Sequence, residues 1–101
     1  MEGSTEIKKG SQPGLVFFSS GSDGRSRRVE GFLAQVLQRR RNHGTFNVVR
    51  VAEEERPDLL ERFKVETVPT LVVVQNKVVA ARLERPRGCR EIEGFLAPWL
   101  N

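Results

Sequence analysis

From Gly14 onward the apolar positions fall into groups, and each group has the period of a particular element. Leu15-Val16-Phe17-Phe18 is an unbroken apolar run, as expected of a strand covered on both faces. The SSGSDG stretch that follows has loop composition. Val29, Phe32, Leu33, Val36 and Leu37 then recur at i, i+3, i+4, i+7 and i+8, one face of an amphipathic helix. This helix is expected to end before Gly44 with Arg39, Arg40 and Arg41 in its last turns, where cations suit the negative end of the dipole.

Phe46 to Val51 places Phe46, Val48, Val49 and Val51 in a second strand. The segment EEERPDLLERF opens with acids and Pro57 and sets Leu59, Leu60 and Phe63 on one face, which predicts a short helix. Leu71 to Val74 is another apolar strand, Asn76-Lys77 a two-residue turn, and Val78 to Leu83 the antiparallel partner. Ile92, Phe95, Leu96 and Trp99 repeat the helical stripe from about Cys89. Pro98 cannot donate to the Gly94 carbonyl, so the last turn should kink or fray.

The resulting order is βαβαββα. A strand–helix–strand step favours parallel neighbours, and the hairpin adds an antiparallel one. The expected architecture is α/β, a mixed four-stranded sheet with helices on both faces, in a single domain over residues 14–101. Residues 1–13 are polar and aperiodic and read as a flexible or tag-like lead-in.

Composition narrows the chemistry. Cys89 is the single cysteine, which excludes an intramolecular disulfide, a dithiol centre and a cysteine-built zinc site. His43 is the single histidine, so a His-rich metal site is excluded too. Neither metal nor cofactor is expected. No apolar run approaches the length of a bilayer, and the N-terminus lacks the apolar core of a signal peptide. A cytoplasmic monomer without membrane contact is the expectation. Lys plus Arg number 17 against 13 Asp plus Glu, a net charge of +4 that makes acidic partners worth weighing.

LVFF before the first loop, Pro57 opening the second helix, FKVETVPTLVVV, and a hairpin followed by GCREIEGFLAPWL together resemble the thioredoxin family. The resemblance runs from about Leu15 to Leu100 and implies a thioredoxin-like fold lacking most of the family's first strand and first helix. It also implies where chemistry would sit. The family's loop after the first core strand carries two cysteines, in Trp-Cys-Gly-Pro-Cys, where the helix N-terminus lowers a thiol pKa. Here the corresponding stretch holds Ser22, Asp23, Gly24, Arg25 and Ser26. Ser22 matches the attacking cysteine, and Arg25 (or Ser26) the resolving one. A hydroxyl forms no disulfide, so no catalytic residue is expected; Ser22, Asp23 and Ser26 are also favoured helix caps.

The family's buried acid corresponds to Val16 and its nearby lysine to Arg50. Arg50 should therefore reach the surface or find another carboxylate, with Glu53, Glu54 and Glu55 as candidates. The family's cis-proline matches Pro69, and Val68, Pro69 and Thr70 become a possible peptide groove or simply an architectural bend. Cys89, beside Arg87 and Arg90, is either a possible reactive thiol or a half-buried small residue.

Arg25, Arg27, Arg28, Arg39, Arg40 and Arg41 are possible anion contacts, although no aromatics interleave with them and a nucleic-acid site is disfavoured against a solvated face. The leading expectation is a redox-inactive thioredoxin-like module that binds a protein or peptide, or contributes structure. The alternatives are an oxidoreductase relative whose active-site cysteines are replaced by serine or arginine, and an anion-binding module using the arginine-rich helix.

Overall fold

The structure, a computed structural model, describes residues 12–39 and 44–100. Residues 1–11, Arg40, Arg41 and His43 lie outside the described residues. The elements run β1 (Gly14–Ser19), α1 (Gly24–Gln38), β2 (Asn47–Ala52), α2 (Pro57–Arg62), β3 (Thr70–Gln75), β4 (Val78–Glu84) and α3 (Cys89–Leu96). The sheet order is β2-β1-β3-β4, with β1 parallel to β2 and antiparallel to β3, and β3 antiparallel to β4. The fold is thus a thioredoxin-like α/β fold with a four-stranded mixed sheet and three helices.

Period-two alternation along the central strands divides the core. Leu15 and Phe17 of β1 with Leu71 and Val73 of β3 face one side, where Val29, Leu33 and Val36 of α1 and Ile92 and Leu96 of α3 cover them. Val16, Phe18 and Val72 face the other side, against Leu59, Leu60 and Phe63 of α2. There the rings of Phe18 and Phe63 meet at 5.5 Å between centroids, tilted by 58°. Pro57 stands in the first turn of α2, where its missing N–H costs no helical bond. Arg82 of β4 donates to the carbonyls of Phe63 (2.8 Å) and Lys64 (3.0 Å), satisfying acceptors at the end of α2.

Three local features depart from, or refine, the pattern read from sequence. Arg39 is not in the last turn of α1: the helix ends at Gln38, and Arg39 takes extended dihedrals as its C-cap. The Arg39 guanidinium pairs instead with Glu93 of α3, tying the two helices on that face together. Asn76 and Lys77 both have positive φ (55° and 67°), the backbone a tight hairpin turn needs, so lysine fills a position where glycine is commoner. The helical part of α3 stops at Leu96, and the Ala97 N–H bonds back only three residues, to Gly94, immediately before Pro98.

The strand entrance that positions the site is the Thr67–Thr70 bend. The Val68–Pro69 peptide bond is cis. Thr70 is fully buried and its hydroxyl donates to the Thr67 carbonyl at 2.7 Å, while the Pro69 carbonyl accepts from the Arg85 N–H at 2.8 Å. Upstream, Pro13 is buried and its carbonyl accepts from the Asn47 N–H at 2.9 Å, tying the residue before β1 to the start of β2.

Candidate functional site

The loop from Ser20 to Asp23 joins the end of β1 to α1, at the place where the family's thiols would stand. Asp23 has extended dihedrals and its carboxylate accepts from the Arg25 N–H at 3.1 Å, an N-cap that satisfies one of the helix's free donors. Ser26, in the first turn, is 3% exposed, and its hydroxyl oxygen accepts from the Ser20 N–H at 3.0 Å. Of the two positions matched to a resolving cysteine, Arg25 is therefore exposed, and Ser26 is buried and engaged in holding the loop. Ser22 is exposed, with its hydroxyl 3.3 Å from that of Ser20.

Glu54, offered by the sequence only as a partner for Arg50, completes this arrangement. The parallel register pairs Ser19 with Ala52, which brings the chain after β2 alongside the chain after β1. Glu54 then accepts from the Ser20 hydroxyl at 2.5 Å and from the Gly21 N–H at 3.0 Å. The Ser20 hydroxyl first, and then backbone N–H groups that include those of Gly21 and Ser22, hold the Glu54 carboxyl below the usual glutamate value. Only the parallel register makes this visible; in the sequence Glu54 is one acid of a helix-opening run.

Val16 and Arg50 lie on opposite faces of the sheet. Val16 is packed in the core beneath α2, whereas Arg50 lies beside Phe17 on the α1 side. The carboxylate that meets Arg50 is Glu30 of α1 at 2.9 Å, not one of Glu53, Glu54 or Glu55. The strand pleat decides this, because Arg50 shares a face with α1 while the acidic run begins beyond the end of β2. Both members of the pair are about half exposed, with side-chain exposures of 57% and 47%.

Cys89 opens α3 and is half-buried. Its thiol faces α1, with the sulfur 2.9 Å from Gln35 Oε1 and 3.8 Å from the Phe32 carbonyl oxygen. No second cysteine exists in the chain to pair with it.

A groove of about 640 Å³ runs between the N-terminal half of α1 and the β4–α3 connection. Pro69 and Phe32 form part of its apolar floor; Arg25 and Arg28 line one wall, and Arg85 and Arg87 the other. The structure thus brings Pro69, Arg25 and Arg28 of the sequence-derived candidates to one place. Arg27 is exposed on α1 outside the groove lining, Arg39 is engaged with Glu93, and Arg40 and Arg41 fall outside the described residues. Arg85 and Arg87 were not singled out from sequence; the basic run ERPRGCR just before α3 was the available signal. Val68, half-buried before Pro69, has neither its N–H nor its C=O in a hydrogen bond among the described residues. Such backbone groups are available to an extended segment laid alongside.

Comparison with known proteins gives a consistent picture. The family model described as thioredoxin matches residues 3–98. No curated protein matches the chain. Among solved structures, Trxlp from Edwardsiella tarda EIB202 is similar at a TM-score of 0.78 and 19% identity, covering 94% of this chain and 91% of that one. Desulfothioredoxin from Desulfovibrio vulgaris Hildenborough in its reduced form superposes with a TM-score of 0.74 at 25% identity, covering 86% and 81% of the two chains. Mitochondrial thioredoxin 3 from Saccharomyces cerevisiae gives 0.73 at 14% identity, over 95% and 88%.

Proposed function

Because the chain belongs to the thioredoxin family and has no CxxC motif, we propose that it is a redox-inactive binding module whose groove beside Pro69 holds a segment of another protein. The observation that carries this reading is the state of the β1–α1 loop. Dithiol exchange needs a nucleophilic thiolate and a resolving thiol within bonding reach at the helix N-terminus. The loop offers Ser22, Arg25 and Ser26, and the Ser26 hydroxyl is occupied with the Ser20 N–H. Nothing in the loop accepts or donates electrons.

The groove keeps the geometry a binding role requires. It is concave, has an apolar floor, and borders the free backbone groups of Val68. A cytoplasmic setting accords with one unpaired cysteine, which needs no oxidising compartment. Among the described residues, no helix is long and apolar enough to cross a membrane.

The test is reduction of an insulin disulfide with dithiothreitol as electron source, comparing the protein with its Cys89→Ser variant. The expected rate is that of the protein-free control for both. A rate well above that control would overturn the redox-inactive reading, and its loss in Cys89→Ser would identify Cys89 as the working thiol.

A further inference from the structure

We propose that the groove selects acidic peptides, reading side-chain carboxylates with Arg25 and Arg28 on one wall and Arg85 and Arg87 on the other. The inference rests on the binding-module reading and adds the chemistry of the partner.

The arginines of this protein divide into two groups. Arg39, Arg50 and Arg56 each have a carboxylate partner, in Glu93, Glu30 and Asp58. The four groove arginines have none: no guanidinium among them makes an ion pair or side-chain hydrogen bond among the described residues. Four like charges around one concavity repel one another, and low-dielectric walls strengthen the field they project into it. A bound anion relieves that repulsion, and a planar guanidinium meets a carboxylate in two parallel hydrogen bonds.

Glu84 and Glu91 also border the groove, so the local charge is positive but not uniform. One oxygen of Glu91 accepts from the Arg87 N–H at 2.8 Å, which engages that acid with the backbone at the start of α3. The backbone of Arg85 is fixed as well, its N–H donating to the Pro69 carbonyl at 2.8 Å. The anion-reading residues are thereby held next to the apolar floor and the free Val68 backbone.

This combination fits a peptide better than a nucleic acid. An extended peptide can use the Val68 N–H and C=O, rest an apolar side chain on Phe32 and Pro69, and present carboxylates to both walls. A single-stranded nucleic acid calls for aromatic platforms on which bases stack. The groove lining offers only a half-buried Phe32 for that purpose.

The experiment uses fluorescence polarisation with labelled peptides of equal length and one shared apolar residue. One peptide is rich in Asp and Glu, one carries Asn and Gln at those positions, and one carries Lys. A single-stranded oligonucleotide is the fourth probe. The acidic peptide should bind at least about tenfold more tightly than the amide peptide, with affinity falling as salt rises. Arg28→Ala and Arg85→Ala should each weaken it several-fold, while Arg62→Ala, on the opposite face of the sheet, should not. Circular dichroism of each variant checks that the fold persists.

Amide and acidic peptides binding equally would overturn acid selection and leave the binding-module reading standing. No binding by any peptide would overturn both. An oligonucleotide that outcompetes the acidic peptide would overturn the proposal in favour of a nucleic-acid ligand, and an Arg62→Ala effect as large as that of Arg28→Ala would overturn it in favour of unspecific charge.

Discussion

The two loops that flank the groove use polar residues in opposite ways. On the β1–α1 side, Asp23 caps the helix, Ser26 accepts from Ser20, and Glu54 gathers Ser20 and Gly21, so polar groups are joined to one another. On the β4–α3 side the backbone is anchored, through Arg85 to Pro69 and Arg87 to Glu91, while the guanidinium groups of the same two residues are left to solvent. A polar side chain matched inside the protein contributes to stability and is withdrawn from ligand. One that is exposed and unmatched contributes little to stability and is free to recognise a partner. The first loop is thus architecture where the family has chemistry, and the second carries the arginines proposed above to recognise a partner.

That contrast can be tested by stability, starting from a core position that supports both loops. Leu33 is buried between α1 and the sheet, and Leu33→Ala should cost about 2–5 kcal/mol. Chemical denaturation would show this as a lower midpoint. A loss well below that range would mean α1 is loosely packed and neither loop is firmly placed.

Ser26→Ala should come next. It removes the acceptor of the Ser20 N–H, and leaving a part-buried donor unsatisfied costs about 1–3 kcal/mol. An unchanged denaturation midpoint would break the comparison, because the first loop would then not depend on its internal bonds.

Glu54→Gln should act more weakly and only in a defined pH range. The Glu54 carboxyl sits below its ordinary value, because the charged form accepts the loop's hydrogen bonds. Its contribution is therefore full above the unfolded glutamate pKa, about 4.3, and is lost as pH falls through the lower folded value. Stability of wild type and variant should differ at neutral pH and converge in acid. A difference that stays constant down through that range would assign the effect to something other than ionisation.

Arg87→Ala should have the smallest effect on stability, within about 0.5 kcal/mol, since its guanidinium has no partner to lose. A larger loss would show that the second loop depends on its side chains as much as the first does.

The same contrast explains what could be read from the sequence. The fold was legible because its signals are periodic: LVFF and LVVV read as covered strands, and the stripes at Val29–Leu37 and Ile92–Leu96 as helical faces. The missing thiols were legible too, since residue identity at a matched position settles that question. The carboxylate for Arg50 was not, because Glu30 comes within 2.9 Å through the pleat of β2 and the placement of α1, and sequence proximity pointed to Glu53–Glu55 instead. Glu54 and the Arg85–Arg87 pair were missed for a related reason. Both act across elements, through a parallel register and a backbone bond to Pro69, which neither the acidic run around Glu54 nor the basic run ERPRGCR discloses.

The Glu54 clamp also bears on any attempt to give this scaffold back its redox chemistry. Its carboxylate draws on the Ser20 hydroxyl and on the Gly21 N–H. A cysteine introduced by Ser22→Cys would ionise beside that negative charge and in competition for the same donors. Both influences raise a thiol pKa, whereas exchange chemistry depends on a lowered one. Ser22→Cys with Arg25→Cys should therefore yield a sluggish dithiol, and adding Glu54→Gln should lower the pKa of the new thiol in a pH-dependent alkylation assay. The Glu54 carboxylate is thus one charge in this loop that opposes a thiolate at position 22, against the helix N-terminus that favours one.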